Sequence, residues 1–480
     1  MSNKILHYIQ YAVSVAIITI FCVILVRTLG ITQLIHEHFF QKSQDNIQTI
    51  KYDDSNNKIH TADNYEKAIN KAKLLHEKNL DKLAIEEYVK AANFKTNKGE
   101  PDYQIALIHD TNGDNAKAEQ FAKQAFDKEN SNVSYFNLYL KTLIKANHIN
   151  IAADLINHLT ISDGETLFYK GLILSLQKQY DDSINAFREA KNKSNNAILS
   201  AKIQNFIDSY NEFSSTQSGQ ETYQQALLSK DLIKENFYVP AVELLKSIIR
   251  KKYDYRDAWI MLGYSYLKLE QYQSSVEALQ TALDLDPTKP ETRYYLGLAY
   301  FGLENYKDAI SNIEIAIENN FEPKNEALQQ LAEVAILDQE FEKAATSYEK
   351  ILAVKKDDVE IYIRPIWLYI EKLNKPSEAL VLAKQAVKIN PENALAYSLL
   401  GWAQTATGSY QEAYKNLQKS LNLDPKLASA YVNLGWLYEK EGKIEDAKAN
   451  YKTSYELDPY GSVGNLGAQR YNDLEMTTDH

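Results

Sequence analysis

Two stretches near the end of the chain, "YSLLGWAQTATGSYQEAYKNLQKSLNLDP" (Tyr397–Pro425) and "YVNLGWLYEKEGKIEDAKANYKTSYELDP" (Tyr431–Pro459), repeat one pattern 34 residues apart. Tyr, Leu-Gly-Trp, Ala, Ser and Leu-Asp-Pro stay in step. Taking Ala447 as reference and walking back, the equivalent small residue falls at Ala413, Ala379, Ala344, Ala309, Ser275 and Ala241, at spacings of 34, 34, 35, 35, 34 and 34. A second series, Ala84, Ala118, Ala152 and Ser183, is spaced 34, 34 and 31. A fixed period of this size means an array of one supersecondary unit, not a single compact core.

The chemistry around each reference residue says what the unit is. Twelve residues earlier stands a small residue, as in Gly263, Gly297, Ala332, Gly401 and Gly435, usually after Leu. Four and seven residues later come an apolar and usually a small residue, as in Leu279/Ala282 and Leu417/Ser420. Small residues let two helices approach closely, and large ones fill the space beside the contact. Pro287, Pro391, Pro425 and Pro459 follow the second helix, where a fixed φ and a missing N–H end it. Each unit therefore reads as two antiparallel helices joined by a short turn such as "TGSY" or "EGKI". Composition agrees: 45% hydrophobic, with only 16 Gly and 10 Pro, favours helix over a β-rich or disordered chain.

The pattern resembles the tetratricopeptide repeat over about Tyr65 to Gly461, in eleven units, most regular in the last two and in Trp259–Pro287. The resemblance implies an all-α fold, an α-solenoid in which antiparallel helix pairs wind into a right-handed superhelix. The array is interrupted between Ser183 and Ala241, 58 residues apart. There Leu199, Ile203, Phe206, Tyr210 and Phe213 form the stripe of one extra amphipathic helix, followed by a turn or hinge, "SSTQSGQ". The expected divisions are an anchor (1–30), a juxtamembrane segment and polar linker (31–64), about four degenerate units (65–195), the extra helix and hinge (196–221), about seven units (222–461), and a capping segment and tail (462–480).

The anchor is read from Ile5 to Val26, which carry no Asp, Glu, Lys or Arg. As a helix this segment would span roughly 33 Å, enough to cross a bilayer. The chain is thus expected to be a bacterial single-pass cell-membrane protein. Lys4 and the α-amine on one side balance Arg27 and Lys42 on the other, so the positive-inside count is close to a tie. The array is expected outside the cytoplasm, with a cytoplasmic-facing array as the alternative.

A net charge of −11 supplies no basic footprint for nucleic acid. Cys22 is the single cysteine, and His36 and His38 stand i, i+2, too far round a helix to form a metal pair. No hydrolase elbow, Walker loop or zincin motif occurs, so no enzyme, metal, cofactor or small-molecule substrate is expected. The resemblance implies protein or peptide partners held in the concave groove by repeat positions 2, 5, 6, 9, 12 and 13, the reference residue being 20. Position 9 reads Tyr264, Leu298, Leu368, Trp402 and Trp436, and Tyr295 and Phe301 add aromatic surface in the Ala309 unit. The expected contact residues are Tyr264, Tyr295, Phe301, Trp402 and Trp436; packing between neighbouring units is the alternative role for them. The family's carboxylate clamp, Lys at position 5 with Asn at position 9, is missing, since those pairs read Ile260/Tyr264, Tyr294/Leu298, Ser398/Trp402 and Val432/Trp436. The expected function is a membrane-anchored interaction scaffold. Self-assembly into homo-oligomers, or an accessory role in envelope secretion, pilus or glycan export, is the alternative.

Overall fold

The computed structural model describes residues 64–157, 163–215 and 221–478. The expected anchor, the juxtamembrane histidines and most of the "SSTQSGQ" hinge lie outside them. Among the described residues there are 24 α-helices and no strand, and no helix is long and apolar enough to cross a membrane. The chain divides into two compact units, Met1–Lys95 and Thr96–His480.

In the first unit, Asn64–Glu77 pairs with Asp81–Phe94. Tyr65, Ala68, Ile69 and Ala72 meet Ala84, Tyr88 and Ala91, all buried. Lys71 and Lys90 converge on Glu87 at 3.0 and 2.7 Å, and both hold its carboxyl below the ordinary range against the opposing cost of its burial.

In the second unit the helix pairs follow the reference residues. All eleven reference positions of the chain are buried: the nine alanines show no exposed surface, Ser275 none, and Ser183 3%. The small residue twelve positions earlier is small for the reason expected. A Cβ placed on Gly171, Gly401 or Gly435 would lie 2.5, 2.5 and 2.7 Å from Phe187, Leu417 and Tyr451, inside van der Waals contact. Where the reference is serine the same junction gains a hydrogen bond: Ser275 Oγ donates to the Gly263 carbonyl at 2.7 Å, and Ser183 Oγ to the Gly171 carbonyl at 2.9 Å.

The turn inside each unit is equally uniform. Five residues before every reference residue the backbone is left-handed: φ is +79° at Gly113, +60° at Asn147, +66° at Lys178, +57° at Glu270 and +79° at Gly408, for example. The next N–H closes the helix end on the carbonyl five residues back, as in Asp114 to His109 (2.9 Å), Gln271 to Tyr266 (2.9 Å) and Ser409 to Gln404 (2.9 Å), which is the Schellman closure. Second helices end at Leu285, Ile389, Leu423 and Leu457, two residues ahead of the four prolines.

One unit departs. Its first helix is a 3₁₀ turn (Val359–Tyr362), a short α segment (Ile363–Trp367) and a π turn (Leu368–Lys372). Its closure reaches one residue further, from the Lys375 N–H to the Tyr369 carbonyl at 2.7 Å. The π turn thus takes up the extra residue in the 35-residue step from Ala344 to Ala379.

The extra helix forms as Ala197–Ser215, with Ile203 and Phe206 buried and Leu199 and Tyr210 packed beside them. It packs against both Tyr180–Lys193 and Glu221–Lys234. At the far end Ser462–Thr478 covers Val432, Ala447 and Tyr451 with Val463, Tyr471 and Leu474.

Candidate peptide-binding face

First helices of neighbouring units touch one another, as Arg256–Lys268 does Pro290–Gly302 and Ala394–Ala406 does Ala428–Lys440. Second helices pack on the first helices of their own unit and of the next, which leaves the first helices as the inner layer. All five residues expected at the site lie on these first helices, and each is half-buried.

They gather into two patches. Tyr264 and Tyr295 come together with ring centroids 4.9 Å apart, and Tyr238 joins them 6.4 Å from Tyr264. Burial, reinforced by the neighbouring Tyr264, pushes the Tyr238 hydroxyl up to about 12, so it remains a hydrogen-bond donor. Lys268 Nζ stands over the Tyr264 ring at 5.5 Å. Behind them Tyr294 is buried against Phe321, centroids 4.1 Å apart, and its hydroxyl donates to Glu326 at 3.2 Å. Phe301 belongs to the end of its helix, 6.3 Å from Tyr306 across the turn.

Trp402 and Trp436 occupy one position in successive units. Trp402 packs against the core cluster around Leu399 and Ala403, while Lys440 Nζ stands over Trp436 at 5.4 Å. Asn433 ties the two helices, its Nδ2 donating to Ser398 Oγ at 2.9 Å. Both tryptophans are half-buried.

Counting back from the reference residue places Leu368 at this position, and the structure corrects it. Leu368 is fully buried in the core. The π turn shifts the register by one residue, so Trp367 takes the half-buried place and Ile366 the place of the close-packed glycine. Lys372 Nζ stands over the Trp367 ring at 5.4 Å, the arrangement seen at Trp436. Trp367, Trp402 and Trp436 thus form one row. A 35-residue step with a tryptophan one residue before the counted position was the signal for it; the other 35-residue step, from Ala309 to Ala344, has a regular helix.

Family models described as TPR repeat or tetratricopeptide repeat match residues 263–310 and 403–442, 294–358, and 428–460. These segments match the tetratricopeptide repeat. The matched stretches stop at 358 and resume at 403, on either side of the π-turned unit. The fold is similar to the C-terminal part of a TPR repeat-containing protein from Cytophaga hutchinsonii, 18% identical over 50% of this chain and 98% of that one, TM-score 0.40. Yeast Tom70 is 13% identical over 86% and 96%, TM-score 0.30. YrrB, described as a TPR protein with an unusual peptide-binding site, is 19% identical over 48% and 99%, TM-score 0.28. No match is found among curated proteins. Among the described residues no group of three or more His, Cys, Asp or Glu is placed to hold a metal ion.

Proposed function

We propose that the tetratricopeptide array is an interaction scaffold that holds a peptide or protein partner against its layer of first helices. The observation that carries this reading is the row Trp367, Trp402 and Trp436, with the Tyr264–Tyr295 pair further along the same layer. Half-buried aromatics supply large contact area at low entropic cost. An extended segment or an amphipathic helix laid across consecutive first helices would meet them in turn. The Ile5–Val26 segment would hold the array at a bilayer and raise the local concentration of a partner there.

The test is direct. Trp402→Ala with Trp436→Ala should abolish capture of the partner that the wild-type chain cross-links in its own cells, with the helical circular-dichroism signal retained. Loss of that signal instead would make both residues packing residues. Topology is tested with one cysteine at Ser55 in a Cys22→Ser chain: labelling of intact cells by an impermeant thiol reagent puts the array outside the cytoplasm, and labelling only after lysis puts it inside.

A further inference from the structure

The inserted helix Ala197–Ser215 closes one wall of a pocket. It lies between Tyr180–Lys193, the inserted helix and Glu221–Lys234, with a free volume of about 40 Å³. That is room for roughly three water-sized groups. Its walls are the rings of Phe187, Phe206 and Tyr210, and Phe187 and Phe206 stack at 5.1 Å. Asp231 lines it, 1% exposed, with neither carboxylate oxygen in a well-formed hydrogen bond and only Ser209 and Lys234 as loose polar neighbours. The Tyr180 hydroxyl, also on the pocket wall, is buried and unpartnered. Lys234 Nζ approaches Asp231 Oδ1 only to 3.6 Å, from a side chain that is 48% exposed, and Ser209 faces the carboxyl from the inserted helix. Burial raises the Asp231 carboxyl above its ordinary range, against the opposing pull of Ser209, Lys234 and Lys230.

A buried carboxylate held only loosely by its neighbours is costly, and a ligand that takes its oxygens directly would relieve that cost. Aromatic rings beside a single carboxylate suit an organic ammonium, whose N–H groups take the carboxylate oxygens while its charge lies against ring faces. A divalent ion would instead want several carboxylates and six or more oxygens. We propose that this pocket binds a primary ammonium group, with Asp231 as its counter-ion, the three rings as its walls and Tyr180 as an additional hydrogen-bond partner. A primary ammonium can donate N–H groups to the Asp231 oxygens, which a quaternary ammonium cannot. The same chemistry comes from a free alkylamine or from a lysine side chain of a bound protein. The site is independent of the aromatic row on the first helices.

The experiment is thermal denaturation of the full chain in detergent, titrated with n-propylammonium chloride against equal concentrations of sodium chloride and tetramethylammonium chloride. The expected result is a saturable rise in Tm with propylammonium alone. Asp231→Asn should melt higher than wild type without ligand, since a buried charge is replaced by its neutral isostere, and should lose the response. Phe206→Leu, which keeps an apolar side chain beneath the inserted helix, should weaken the response several-fold. Equal shifts in all three salts, a response that survives Asp231→Asn, or an Asp231→Asn chain that melts lower than wild type would each overturn the proposal, leaving a water-filled pocket or a carboxylate already paired by Lys234. Nα-acetyl-lysine methylamide separates the sources: a response matching propylammonium identifies a protein lysine, and a response to propylammonium alone identifies a free amine.

Discussion

The units between Glu100 and Lys193 and those between Ala394 and Leu457 repeat at similar spacings but hold their helices together differently. In the later group the junction is steric, with Gly401 beneath Leu417 and Gly435 beneath Tyr451. In the earlier group the equivalent positions are Ala106, Leu140 and Gly171, and buried or half-buried ion pairs add to the apolar junction. Asp102 accepts from Lys128 at 2.5 Å, and buried Asp110 accepts from Lys141 at 2.7 Å and from Lys145. Side chains also cap helices there: Asn132 accepts from the Ser134 N–H at 3.0 Å, and Asp163 from those of Glu165 and Thr166 at 3.0 and 3.2 Å. The period is thus a property of helix length and turn geometry, while the polar contacts added to a shared apolar junction are free to change.

This contrast can be broken at its strongest point first. Gly401→Val should cost about 3 kcal/mol, because its branched Cβ meets Leu417 where no backbone shift is free; chemical denaturation should show it, and Leu417→Ala in the same chain should recover part of the loss. In the earlier group Asp110→Asn should cost about 2 kcal/mol, leaving two lysines without their common acceptor, one of them, Lys145, only 11% exposed. The pH dependence separates the two variants. Desolvation alone would raise the Asp110 carboxyl, but Lys141 and Lys145 prevail and hold it below its ordinary range. Its contribution is therefore present above the unfolded-state pKa and lost as pH falls through the lower folded-state pKa. The slope of stability against pH should flatten through the carboxylate range in Asp110→Asn and keep its wild-type value in Gly401→Val, whose stability is lower by the same amount at every pH. Asp163→Ala should cost about 1 kcal/mol as a lost helix cap, read as faster amide exchange at Glu165 and Thr166. Smallest is Ser275→Ala, at about 0.5 kcal/mol, since it deletes one hydrogen bond but installs the residue that nine other units use at that position.

Much of this was readable in the residues. The reference alanines, the close-packed glycines and the terminal prolines carry their structural reasons in their side chains, so spacing alone located the junctions. The left-handed turn position was not legible, because Lys178, Glu270, Glu304 and Gln339 adopt it as Gly408 does, and residue type there carries little signal. Trp367 was missed because counting assumes 3.6 residues per turn throughout, and Leu368–Lys372 winds more slowly. The Asp231 pocket was hidden for a different reason: its walls come from three helices, and only folding brings Tyr180, Phe206 and Asp231 together.

The π turn has a consequence for how such an array can change. An inserted residue in a regular helix would rotate every later side chain by about 100° and turn the aromatic row away from its face. Here the surplus is absorbed within Leu368–Lys372, and the helices after it resume in phase, with Trp402 and Trp436 aligned to Trp367. The slow-wound segment works as a shim in a threaded rod: it corrects a length error where it arises, so the units downstream keep their bearing.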